Sequence, residues 1–218
     1  VTTLATIGAG NIGTNVALAA ISAGYDVVLS NSRGPESLSG TIAELGPMAR
    51  AATTEEAAAA GDIVLVAIPL KSIGDIPAAP LAGKIVLDAN NYYPQRDGRI
   101  ESLDANQTTT SELLQAHLPD SHVVKAFNNI NAGQIPTDGG PEGAPGRRAL
   151  SIAGNNADAK ATVTALLDDF GYDAVDIGPL SESWRVERDT LAYGKPTTAE
   201  ELRDLAARTE RVQQVQQV

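Results

Sequence analysis

The 218-residue chain contains no cysteine, which removes disulfides, thiolate nucleophiles and cysteine-bound metal from its chemistry. Histidine is scarce as well: His117 and His122 are the only two, so the usual proton carrier near neutral pH is almost missing. No apolar run approaches the roughly 20 residues that a membrane helix needs. No cationic start precedes a signal-like apolar core, so the cytoplasm is the expected compartment. Positive charge is also short. A net charge of −11 argues against nucleic acid or an anionic membrane as partner. No metal site is expected. The length suits one domain, or one domain with an appendage.

What the chain does have begins at Gly8-Ala9-Gly10-Asn11-Ile12-Gly13. An apolar run, Leu4 to Ile7, precedes it and a helical pattern follows. That is the strand-to-helix setting in which G-x-G-x-x-G binds a dinucleotide. Gly8 allows the tight turn, Gly10 lets a pyrophosphate approach the backbone, and Gly13 lets helix and strand pack closely. About 20 residues on, an NAD protein places a carboxylate for the ribose 2′-hydroxyl. This chain has Asn31-Ser32-Arg33 there. Two hydrogen-bonding side chains and a planar cation suit a 2′-phosphate, so the expected cofactor is NADP(H).

Strand and helix patterns alternate through residues 1–136, predicting a doubly wound, Rossmann-type parallel sheet as an NADP-binding domain of α/β class. Helices are predicted over 36–45, after the capping box Thr53-x-x-Glu56, and after a second one, Thr109-x-x-Glu112. A Gly/Pro-rich loop, 137–146, leads to a small C-terminal α/β lobe over 147–218. In it Asn155 is expected to cap a helix, and Thr198-x-x-Glu201 a last one in which Leu202, Leu205, Val212 and Val215 recur at helical spacing. The polar Val/Gln end is expected either to fray or to lie against a partner subunit, and a homodimer is expected.

Ligands in such folds lie outside the carboxyl ends of the strands. Those positions hold Ala67-Ile68-Pro69, Asn90-Asn91, Asn128-Asn129 and Asn155-Asn156. Amides hold planar rings by their edges but do not shuttle protons near neutral pH. His117 sits mid-helix, and His122 opens a strand at its far end. Lys125 is the one candidate acid, and a strand lysine more often faces solvent or a carboxylate. No catalytic residue is therefore assigned. A site without acids or bases suits hydride exchange with a small-molecule acceptor, positioned by the protein.

The motifs at 8–13, 30–35, 88–93 and 124–128, with Asp176-Ile177-Gly178-Pro179-Leu180 and Ser183-Trp184-Arg185, resemble the NADP oxidoreductases that depend on coenzyme F420. The same domain is similar to the reductase part of the membrane metalloreductases. The resemblance implies hydride transfer between NADPH and the deazaflavin F420, the latter in a cleft between two lobes. It implies cofactor contacts from Gly8, Gly10, Asn11, Ile12, Ser32, Arg33, Ala67, Ile68, Asn90 and Ala126. Asn128, Gly154 and Trp184 are placed near the second ring. Arg96, Arg99, Arg147 and Arg148 are available to an anionic tail, without a motif to choose among them. A flavin or ferric reductase and a non-catalytic NADP sensor are the alternatives. Imine reductases share the glycine-rich opening but usually carry a long helical dimerisation domain, and the stretch after the Gly/Pro loop, part of it strand, speaks against one.

Overall fold

Short apolar runs between turn residues build eight strands within residues 1–211, the part that this computed structural model describes. They are β1 (Thr3–Ile7), β2 (Asp26–Ser30), β3 (Ala49–Ala51), β4 (Ile63–Val66), β5 (Ile85–Asp88), β6 (His122–Lys125), β7 (Ala149–Gly154) and β8 (Asp173–Asp176). The helices are α1 (Asn11–Ser22), α2 (Ser39–Leu45), α3 (Thr54–Ala60), α4 (Pro94–Asp97), α5 (Glu101–Asp104), α6 (Thr110–His117), α7 (Ala157–Asp169) and α8 (Ala199–Arg208). The strands form one sheet in the order β3-β2-β1-β4-β5-β6-β7-β8. Its first six strands are parallel and follow the doubly wound order that reverses between β1 and β4.

Alternation within the strands supplies both faces. In β4, Ile63 and Leu65 pack on one side with Val16 and Ala20 of α1. Val64 and Val66 pack on the other with Ala57 of α3 and Leu114 of α6. Both faces are apolar because helices cover both, as a parallel sheet requires. Each fully buried Val, Leu or Ile contributes about 1.5–3 kcal/mol.

All three capping boxes form, with Thr53, Thr109 and Thr198 accepting from the backbone of Glu56, Glu112 and Glu201, whose carboxylates reach back. The helix expected over 36–45 is split into a 3-10 turn, Pro35–Leu38, and α2. Leu202 is buried in α8, whereas Val212 and Val215 lie outside the described residues. Asn156, not Asn155, caps α7 by accepting from the Ala159 N–H, and Asn155 accepts from the Leu180 N–H instead.

The segment from 147 onward extends the same sheet. β7 runs antiparallel to β6, with Lys125 opposite Ala153 and Val124 opposite Gly154. The carboxyl end of β7 therefore points toward the opposite edge from the carboxyl ends of β1 to β6. Past β8 a 3-10 segment, Leu180–Val186, carries the chain back to the ligand edge, where Gly194 N–H donates to the Asn129 carbonyl at 3.0 Å. No helix among the described residues is long and apolar enough to cross a membrane.

Candidate active site

The site begins where β1 turns into α1. Gly8 has φ +105°, and a Cβ there would lie 2.2 Å from the Ala67 carbonyl oxygen. At Gly13 a Cβ would lie 2.0 Å from the Gly8 carbonyl oxygen, so neither position accepts a side chain. Gly10 is different, with nothing within 4 Å of where its Cβ would stand. It is the N-cap of α1, without a side-chain cap and with no acid in the first turn. The α1 backbone N–H groups thus face an open cradle at the positive end of the helix dipole, suited to a pyrophosphate.

Two cavities flank this turn. One, of about 300 Å³, is lined by Gly8, Asn31, Ser32 and Thr54; the other, of about 250 Å³, by Asn11, Ile12, Asn90, Asn128 and Tyr193. They share Gly10, Ala67, Ile68 and Pro69 and so form one groove across the point where strand order reverses. In the first, Asn31 braces the turn by accepting from the Arg33 N–H and bonding Ser37. Arg33 itself is exposed and lines neither cavity.

The second cavity is walled by amides whose orientation their partners fix. Asn90 Oδ1 accepts from the Ile68 N–H at 3.1 Å, which turns Nδ2 the other way without a partner. Asn128 Nδ2 donates to the Val186 carbonyl at 2.9 Å, which leaves Oδ1 without one. Both residues are 3% exposed. An unpaired buried donor or acceptor costs about 1–3 kcal/mol. A primary carboxamide carries both an acceptor and a donor, the complements of an amide nitrogen and an amide oxygen. Phe127, fully buried between them in sequence, has φ +60°, an outlier for a bulky residue and of the strained kind found at ligand sites.

Tyr93 and Tyr193 close the cavity, their hydroxyls 2.8 Å apart. The guanidinium of Arg96 lies 4.8 Å from the Tyr93 ring centre and that of Arg188 5.3 Å. Burial and the hydrogen bond to Tyr93 push the Tyr193 hydroxyl well above its ordinary range. Asp97 holds this corner by accepting from the Arg96 guanidinium and the Tyr93 N–H. Burial works to raise its carboxyl, but those hydrogen bonds outweigh it and hold the group below its ordinary value.

Lys125 lies beneath the wall, fully buried. Its ammonium donates to the Asn90 carbonyl and to Thr110 Oγ1, both at 2.6 Å, with Asp88 at 3.5 Å and Glu187 at 3.8 Å. It ties β5, α6 and the returning segment together, and it does not line either cavity.

Of the residues expected to touch cofactor, Gly8, Gly10, Asn11, Ile12, Asn31, Ser32, Ala67, Ile68 and Asn90 line the groove. Ala126 is buried behind it and belongs to the core. Asn128 reaches the second cavity, but Gly154 and Trp184 do not. Gly154 is carried away by the antiparallel run of β7, where a Cβ would press on Lys160 and Val124. Trp184 lies between the guanidiniums of Arg185 and Arg211, beside Tyr92 and Thr108. Among the four arginines, only Arg96 lines the groove. Arg99 pairs with Asp104, Arg147 with Asp168 and Asp173, and Arg148 with Asp138. Tyr193, Phe127 and Ile130 are lining residues that sequence reasoning missed. Tyr93 and Arg96 sit within or just past a strand-end stretch that was visible.

The fold and the groove define a dinucleotide-binding domain of Rossmann type. Residues 3–92 match the family described as NADP oxidoreductase, coenzyme F420-dependent. Protein SMa0349 from Sinorhizobium meliloti, called hypothetical, is 33% identical, with 91% of this chain and 94% of that one covered and a TM-score of 0.74. A candidate F420-dependent NADP-reductase from Arthrobacter sp. FB24 is 27% identical, with coverage of 84% and 87% and a TM-score of 0.73. The rat (Rattus norvegicus) metalloreductase STEAP3 is 30% identical over 183 residues, 83% of this chain and 35% of that protein. The chain spans 35% and 39% of the length of the curated relatives it matches. This chain belongs to the coenzyme F420-dependent NADP oxidoreductase family, a family of NADP-dependent oxidoreductases.

Proposed function

We propose that the protein is an NADPH-dependent reductase that passes a hydride to coenzyme F420 or a ring system of the same shape. The observation that carries this reading is the continuous groove from the glycine cradle to a cavity lined by Asn90 and Asn128, each of which keeps a buried amide atom without a partner. NADPH, when bound, supplies the hydride; the rest is binding and placement. Gly10 and the α1 N–H groups take the pyrophosphate. Asn31, Ser32 and Arg33 take the 2′-phosphate, where a fork-shaped cation is worth more than a point charge. Asn90 and Asn128 hold the carboxamide and so fix which ring face is presented. Ile68, Pro69 and Phe127 exclude water around that ring, and Lys125 keeps Asn90 in place.

A flavin reductase feeding a metal is the second reading, and two observations favour it. STEAP3 is named a metalloreductase, and a polyanionic F420 tail would meet few cations, since Arg96 is already engaged by Asp97. NADPH absorbance decay with F420, with FMN, with a ferric chelate and with no acceptor separates the readings. Decay with F420 is expected. Decay with FMN alone would replace F420 as the acceptor, and no decay with any would leave a nucleotide-binding protein without this activity.

A further inference from the structure

A hydride adds two electrons and one hydrogen to an acceptor ring, and a neutral reduced product still lacks a proton. Asparagines cannot give it. The cavity nevertheless contains a donor, assembled from residues 100 positions apart. Tyr93 and Tyr193 both line it, and their hydroxyls are in hydrogen-bond contact. The two phenols are not equivalent. Tyr193 is half-buried, and its neutral form is favoured by burial. Tyr93 has two guanidiniums, Arg96 and Arg188, against its ring. Both cations lie beside the ring of Tyr93, and each is itself paired with a carboxylate, Arg96 with Asp97 and Arg188 with Asp189. Asp97 and the Tyr92 carbonyl hold those guanidiniums in place.

Resting on the hydride-transfer reading above, we propose that Tyr93 is the proton donor of this site and that Tyr193, which keeps its proton, hydrogen-bonds the Tyr93 oxygen. The Tyr93 O–H bond breaks and its proton goes to the nitrogen or oxygen of the acceptor that gains electron density. The Tyr193 O–H donates a hydrogen bond to the Tyr93 oxygen as that proton leaves, and a proton from solvent then restores Tyr93. The nucleotide is oxidised by two electrons and the acceptor reduced by two. The immediate acceptor is therefore a planar molecule that takes hydride and proton together, such as a deazaflavin or flavin ring. A ferric ion takes one electron and no proton, so it does not fit as the direct acceptor.

The test uses the whole chain with Tyr93→Phe and Tyr193→Phe. Three quantities are read: NADPH affinity, affinity for the oxidised acceptor (F420 or FMN) without nucleotide, and the single-turnover rate in H₂O and D₂O. NADPH affinity should stay within about twofold in both variants, which also reports that they are folded. Acceptor binding should weaken up to about tenfold in Tyr93→Phe, as one neutral hydrogen bond is lost. Its rate should fall about 10²–10⁴-fold, and the solvent isotope effect of the wild type should change. Tyr193→Phe should fall less and keep acceptor affinity. Rates within about threefold of wild type in both variants, with an unchanged D₂O effect, overturn the assignment while leaving hydride transfer intact. Wild-type protein that binds NADPH yet reduces neither ring overturns the hydride-transfer reading itself, and the proton donor with it.

Discussion

Three residues of the glycine turn divide their work cleanly, and single substitutions separate the parts. Gly10→Ala adds a methyl group in open space, so the protein should fold with unchanged thermal midpoint. It should nonetheless bind NADPH poorly, because that space belongs to the pyrophosphate. Gly13→Ala pushes a Cβ to 2.0 Å from a backbone oxygen and should lower the midpoint itself. Equal NADPH affinity in a folded Gly10→Ala protein would remove the dinucleotide from this turn. Arg33 is exposed, next in sequence to Ser32 of the first cavity, and should act on one nucleotide only. Arg33→Ala should cost about 1.5–3 kcal/mol with NADPH, read as a raised KM, and almost nothing with NADH. Parallel losses with both would dissociate Arg33 from the 2′-phosphate. Lys125→Met leaves Asp88 and Glu187 buried without their cation, which should destabilise the fold by about 3–5 kcal/mol. Denaturant unfolding checks this, and a smaller loss in the double variant with Glu187→Gln would identify charge imbalance as the cause.

Elements of this molecule differ in how far their neighbours in sequence explain them. The three capping boxes were legible because each is a contact between residues three apart, and the glycine turn because its role is local too. β3 is three residues long and has no alternation to mark it; it exists because β2 offers an edge. The direction of β7 is set by its pairing with β6 and by nothing within 149–154, so Gly154 was placed at the wrong edge. Asn155 and Asn156 are chemically identical caps, and only the reach to Ala159 decides between them. The α4 turn shows the energetic side. Asp97 anchors Arg96 and the Tyr93 backbone, and its carboxyl lies below its ordinary value of 3.8. A lowered folded value means the unfolded chain takes the proton first. The stability from this group is complete above the ordinary value and is lost as pH falls through the folded one. Thermal midpoints should therefore drop below about pH 4 in the wild type and drop less in Asp97→Asn. Identical acid profiles would show that Asp97 does not stabilise the corner.

Across the whole molecule, one wall of the site is built by the first six strands and the other by chain that returns from the far edge of the sheet. That return explains why the amides could be expected at the strand ends and Tyr193 could not. Asn90 and Asn128 follow β5 and β6 directly, whereas Tyr193 reaches the groove only through the pairing of β7 and β8 and the turn after them. The nucleotide half depends on residues 8 to 128, and the acceptor half on a segment whose placement is tertiary. In the proposed reaction a hydride moves across this groove from NADPH to a ring held beside Asn128 and Tyr93. NADPH deuterated at the transferring position, mixed with enzyme and oxidised F420 or FMN in a single turnover, tests it most directly. The account predicts a slowed reaction and deuterium recovered on the reduced acceptor ring; NADPH that is bound but neither oxidised nor stripped of its deuterium would contradict it.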